Sequence, residues 1–198
     1  MPDAAESPAC LPRLTGRRVC LRGFGEDDFE ALFALHSDPE TMRYWSFPPW
    51  TEREQGRGYF ERALAANDPE RMLCWAIAAA GDDALIGTTT LFNINRGQGL
   101  AEIGYALGRP HWGAGLAREA VALALDHAFD TLGLRRVEAD IDPRNAGSMR
   151  LVAALGFRNE GLLRERWQVA GETSDTALHG LLAREWREQR GGSLSRAP

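Results

Sequence analysis

The chain of 198 residues is poor in the features that would give away a compartment or a ligand at once. It has no uncharged apolar run close to the length of a membrane span. Its first residues, MPDAAESPACLP, lack the basic start and apolar stretch of a signal peptide. Cysteine is scarce. Cys10, Cys20 and Cys74 cannot all pair and show no metal-ligand spacing. Cys20 and Cys74 fall in apolar runs and read as core thiols of a reducing cytosol, with a reactive thiol as the alternative. The formal charge of −5 lacks the basic excess of a broad nucleic-acid footprint, which leaves only a local basic patch open. No internal repeats or low-complexity linkers divide the chain, so one domain with a full hydrophobic core is expected. The expected location is the cytoplasm, with neither nucleic acid nor membrane as a partner.

What is present reads in order as a mixed sheet with helices. Residues 1–12 are expected as a loose tail, 13–188 as a single domain and 189–198 as a polar tail. Residues 18–22 alternate as a strand, and Glu26, Asp27 and Asp28 open a helix that Asp38-Pro39 ends. The segment TMRYWSFPPW then sets Tyr44, Trp45, Phe47 and Trp50 around two prolines. Such a segment either tucks rings over the core or lines a binding site, and both can hold at once. Thr51-x-x-Glu54 is a capping signature for a helix reaching about residue 66. Strands are expected at 71–79, 85–93 and 100–107, a helix from 116 to about 132, and a strand over 134–141. A second helix over 146–155 is capped by Gly156, and a closing hairpin turns at Ala170-Gly171-Glu172. His127 lies opposite the charged stripe of its helix and reads as a core histidine.

Two glycines, Gly113 and Gly115, stand where strand 102–107 gives way to the long helix. A helix start leaves its first N–H groups unpaired at the positive end of the backbone dipole. Without side chains in the way, a phosphate can rest on those groups. The dinucleotide fingerprint needs a third glycine where Arg118 stands, and three antiparallel strands precede the turn where β-α-β alternation would be required.

Taken together, EIGYAL, P-x-W-G-x-G-L-A-x-E-A, D-P-x-N-x-x-S and L-G-F resemble the GNAT superfamily of N-acetyltransferases. The match is nearest the RimJ/RimL-like branch that acetylates ribosomal-protein N-termini, and the MRYWSFPPW loop and RERWQVAGETSDTALHGLLAREW segment look like that branch too. The resemblance covers residues 15 to 187. It implies an α/β fold whose mostly antiparallel sheet has a splayed central strand pair, and direct transfer of an acetyl group from acetyl-CoA to a primary amine. Ile103, Gly104, Tyr105, Ala106 and Leu107 would pair by their backbone with the pantetheine arm. Trp112, Gly113, Ala114, Gly115, Leu116 and Ala117 would carry the pyrophosphate, with no metal needed. The family's usual cradle has Gln or Arg where Pro110 stands; Arg109 and Arg118 are nearby basic alternatives and read better as solvated charges.

Direct attack needs a base near the amine and a donor near the departing thiolate. Glu102, on the cofactor strand, is the candidate base, against a solvent-facing carboxylate as the alternative. Many members carry a tyrosine seven residues after the turn asparagine; here Val152 stands there. Ser148 is the candidate donor, with a helix-capping hydroxyl as the alternative. Asn145 would contact the CoA arm or cap its helix. Tyr44, Trp45, Phe47 and Trp50, with Trp167, would form the acceptor pocket. The expected acceptor is a protein N-terminal amine; a small amine such as an antibiotic or polyamine, or a non-catalytic acyl-CoA-binding regulatory domain, are the rivals. A homodimer is left open.

Overall fold

The computed structural model describes residues 11–65, 68 and 70–194. The chain runs through β1 (Leu14–Thr15), β2 (Val19–Arg22), α1 (Phe29–Ser37), α2 (Pro39–Met42) and α3 (Arg53–Ala65). Then come β3 (Leu73–Ala79), β4 (Leu85–Asn95), β5 (Leu100–Leu107), α4 (Leu116–Asp126) and β6 (Arg136–Ile141). It closes with α5 (Ala146–Ala154), β7 (Arg158–Val169), β8 (Glu172–Leu182) and α6 (Ala183–Leu194). One eight-stranded sheet holds the strands in the order β1-β2-β3-β4-β5-β6-β8-β7. Every neighbouring pair is antiparallel except β5 and β6. This is the mixed α/β architecture expected from the sequence.

Helices cover both faces. On one, α4, α5 and α6 bury Ala120, Val121, Ala124, Leu125, Val152 and Trp186 against Val19, Trp75, Leu91, Ile103 and Val137. The spacing of the α4 positions is one stripe of a helix of 3.6 residues per turn. On the other, α1 and α3 pack Leu32, Leu35 and Phe60 with Trp50 and Ala106. Each fully buried leucine in these layers contributes about 2 kcal/mol relative to exposure. The 23 basic side chains other than histidine are all arginines, and several of those described form ion pairs. Arg22 grips Asp28 with two bonds of 2.6 and 2.9 Å, the planar fork matching a carboxylate.

Four local expectations are revised. The helix expected to reach residue 132 is α-helical only to Asp126. A π-helical turn follows over His127–Thr131, closed by Leu132 N–H to the His127 carbonyl at 2.9 Å. His127 is buried there, edge-on to Trp75 with ring centroids 5.6 Å apart. The cap of α3 falls one residue later than expected, because Gln55 and not Glu54 reaches back, its Oε1 accepting from the N–H groups of Thr51 and Glu52. Leu11 is buried in the main core and the Pro12 carbonyl accepts from the Trp75 indole, so the expected tail is docked from residue 11 onward. The C-terminal segment placed in a tail from 189 continues as α6 to Leu194. Cys10 and the rest of residues 1–10 lie outside the described residues.

Candidate active site

Strands β5 and β6 share three rungs, Leu100 with Arg136, Ala101 with Val137 and Glu102 with Glu138. Beyond the third rung they part, while β5 stays paired with β4 to Leu107 and β6 with β8 to Ile141. One backbone edge of residues 103–107 therefore borders a V-shaped opening with no strand across it among the described residues. An extended ligand arm can add to such an edge as another strand would. Ile103 to Leu107, expected from the sequence to meet the pantetheine arm, form this edge, and the Leu107 carbonyl accepts from the Trp112 indole.

At the wide end the chain passes through a tight turn, Arg109–His111, into Trp112 and the two glycines. Gly113 has φ +75° and Gly115 φ +74°. A Cβ at Gly113 would meet nothing within 4 Å, so the backbone conformation and not crowding calls for glycine there. Gly115 caps α4 without a side chain, and the first bond inside the helix runs from Glu119 N–H to the Gly115 carbonyl at 3.2 Å. The N–H groups of Leu116, Ala117 and Arg118 precede it and have no partner within the helix. Trp112, Gly113 and Ala114 are exposed, so the cradle faces solvent.

Arg18, from the β1–β2 turn, braces this cradle. Its Nη1 donates to the Ala114 carbonyl at 2.7 Å, and its Nε and backbone N–H donate to Glu119 at 2.9 and 2.7 Å. Burial works to raise the Glu119 carboxyl, but these bonds hold it below its ordinary value. Of the two arginines near the cradle, Arg109 is paired with Asp38 at 2.9 Å and Arg118 is exposed. A cavity of about 380 Å³ opens beside that ion pair, walled by Leu35, Leu85, Gly108 and His111, apart from the opening between β5 and β6.

Across the opening, α5 begins at Asn145, whose Oδ1 accepts from Ser148 N–H at 3.0 Å. The cap is thus made by Asn145. The Ser148 hydroxyl is free of that duty and lies 2.6 Å from the Tyr105 hydroxyl. Burial pushes the Tyr105 phenol up to about 12, with the Ser148 bond working the other way. Val152 is fully buried in the main core.

Side chains alternate across a strand, and Ala101, Ile103 and Leu107 face the main core. Glu102 therefore points to the opposite face, that of α1 and α3, where Asn93 Nδ2 donates to its Oε1 at 2.8 Å. Glu138 and Asp140 share that face on β6. Glu138 is paired with Arg136 at 2.6 Å. Asp140 accepts from the Thr176 hydroxyl and, at 3.3 Å, from the Trp167 indole. Trp167 is 38% exposed, so it stands at the rim beside Asp140. Tyr44 lies under the Arg144 guanidinium, 5.8 Å from its ring centroid, and Arg144 in turn bonds Asp142 and Glu172.

The rest of the expected acceptor pocket is packed differently. His36 is fully buried and stacks on Trp50 at 4.4 Å and on Phe47 at 5.9 Å, with the Trp45 edge at 5.6 Å. Trp50 is buried in the α1–α3 layer and is core, not a pocket wall. Trp45 and Phe47 are half-buried around His36. Burial drives the His36 pKa down to about 4; its Nδ1 meets the Leu32 carbonyl and its Nε2 has no hydrogen-bond partner among the described residues. Tyr44 and Trp167 are the members of the predicted set that reach the turn and hairpin around the opening. The sequence reading missed the Tyr105 side chain, Arg18 and Asp140. Strand alternation signals the first, by putting Tyr105 on the Ile103 face; nothing local links Arg18 to Ala114. Among the described residues no group of three His, Cys, Asp or Glu is placed to hold a metal ion.

Comparison with known proteins agrees with this geometry. The Acetyltransferase (GNAT) domain family matches residues 18–158. An uncharacterized N-acetyltransferase p20 of Bacillus licheniformis is 36% identical over 176 residues, covering 89% of this chain and 99% of the relative. A spermidine N(1)-acetyltransferase of Vibrio cholerae is 25% identical over 158 residues, covering 80% of this chain and 89% of the relative. The crystal structure of a GCN5-related N-acetyltransferase from Brucella melitensis superposes with a TM-score of 0.82 at 27% identity, covering 97% of this chain and 88% of that one. Matched by that family over residues 18–158 and by a relative 36% identical along most of its length, the chain belongs to the GNAT family and is an acetyl-CoA-dependent N-acetyltransferase.

Proposed function

We propose that this enzyme acetylates the N-terminal α-amine of a protein, in the manner of the RimJ/RimL-like branch, inside the reducing cytoplasm. The observation that carries the reading is the division of the opening: Glu102 on one face, Ser148 with Tyr105 on the other, and the free backbone edge of 103–107 between them. The acceptor enters from the Glu102 face as a neutral amine. Its nitrogen attacks the thioester carbonyl, forming the C–N bond as the C–S bond breaks. The carboxylate of Glu102, directly or through water, takes the amine proton. A backbone N–H of 103–107 polarises the carbonyl, and the Ser148 hydroxyl donates to the sulfur as it leaves with the bonding pair. A polypeptide acceptor is supported by the outer edge of β7, which pairs with no further strand among the described residues, and by exposed Leu162, Leu163 and Trp167 along it. Cys20 and Cys74, buried as thiols, support the compartment.

A polyamine acceptor is the second reading. It is favoured by Glu102 and Asp140, two carboxylates on one face with no ion pair among the described residues, and by the name of the Vibrio cholerae relative. One screen separates the two: acetyl-CoA with a panel of N-terminal peptides and free amines, read by mass. Acetylated peptides support the first reading. Acetylated spermidine with no acetylated peptide overturns it. Acetyl-CoA binding without acetyl transfer to any member points to a regulatory acyl-CoA-binding role instead.

A further inference from the structure

The two hydroxyls at the α5 side of the opening come from different parts of the chain. Tyr105 lies on β5, three residues beyond the last rung shared with β6, and Ser148 lies in the first turn of α5. Their oxygens are 2.6 Å apart, a short bond even for a hydroxyl pair. The contact therefore joins β5 to the helix that follows β6, on the face where the departing sulfur would be received.

Each hydroxyl has one proton. In a bonded pair one oxygen donates and the other accepts, so one proton is left to point elsewhere. The Ser148 N–H is already held by Asn145, which fixes the first turn of α5. Val152, one turn further along α5, is buried and carries no polar group. We infer that Tyr105 is a positioning residue: its O–H donates to Ser148 Oγ, and the Ser148 proton is thereby directed into the opening toward the thiolate of CoA. This rests on the proposed role of Ser148.

The phenol acts as a donor and not as an acid that ionises. Burial raises its pKa to about 12, far above a free thiol near 8.5, so a phenolate would form less readily than the thiolate it was meant to relieve. No proton leaves the pair. The thiolate departs with the C–S electron pair, is held by the Ser148 hydrogen bond, and takes its proton from solvent on release.

The test needs no acceptor. Affinities of CoA and of desulfo-CoA, which lacks the sulfur, are measured by calorimetry from about pH 6 to pH 9, on either side of the free thiol pKa. In the wild-type protein the preference for CoA over desulfo-CoA should grow about tenfold with pH, because the bound thiolate is stabilised. Ser148→Ala should abolish the growth. Tyr105→Phe, which removes one oxygen and keeps the ring, should reduce it to roughly threefold, with desulfo-CoA affinity unchanged as the check on folding. The double variant should match Ser148→Ala alone, since Tyr105 acts through Ser148. A wild-type pH dependence in Tyr105→Phe, or additive losses in the double variant, overturns the inference. Failure of the N-terminal amine reading appears separately, in the acceptor screen, and leaves this titration as it is.

Discussion

Two parts of the β5–β6 opening are made of different material. The part proposed to hold the cofactor is backbone: a strand edge without a partner among the described residues, two glycines at φ near +75°, and three helix N–H groups, all between residues 103 and 118. The part proposed to hold the acceptor is side chains: Glu102, Asp140, Trp167 and Tyr44, from four separate segments. Backbone sites depend on conformation and tolerate change in most side chains. Side-chain sites depend on identity, and a family can vary its acceptor there without touching its cofactor.

That contrast can be pressed by experiment. The largest effect is expected in stability on the acceptor side. His36 binds its proton only near pH 4 when folded but near 6.5 when unfolded, so the unfolded state gains protons first as pH falls. About 3 kcal/mol should be lost between pH 6.5 and 4, from the difference of the two pKa values. Denaturant titrations of wild type and His36→Phe at both ends of that range should show the variant losing about that much less; equal pH slopes would mean that the buried ring does not govern acid stability. Next, Glu102→Gln should lower kcat by about 100-fold with the KM for acetyl-CoA nearly constant. A near-normal rate removes Glu102 from the chemistry. Gly115→Ala should strain the left-handed cap by about 1 to 2 kcal/mol and weaken acetyl-CoA binding by roughly tenfold at unchanged kcat. Unaltered affinity would show that the cradle conformation is not what holds the cofactor. The smallest effect is expected for Trp167→Ala, a several-fold rise in acceptor KM with acetyl-CoA kinetics unchanged; the opposite pattern would move the rim to the cofactor side.

The same contrast explains what the sequence made legible. The Gly113–Gly115 turn is local: spacing alone predicts a bare helix start, and the φ values agree. The V is nearly local too, since the strands flanking α4 must run parallel and in register only at their start. Trp50 was not legible, because whether a ring among prolines faces a pocket or a core depends on α1 and α3 closing over it. Nor was the Arg18 brace, which joins residues 96 positions apart. The shifted cap at Gln55 and the π-helical end of α4 reflect a third kind of gap, in which the competing bonds differ by too little for spacing to choose.

The arginine-only surface has a practical consequence for these measurements. A chain with no lysine offers its own catalyst no ε-amine to modify. In a mass-based screen, any lysine found acetylated must belong to an added acceptor, and amine-reactive probes can report on those acceptors without labelling any side chain of the enzyme.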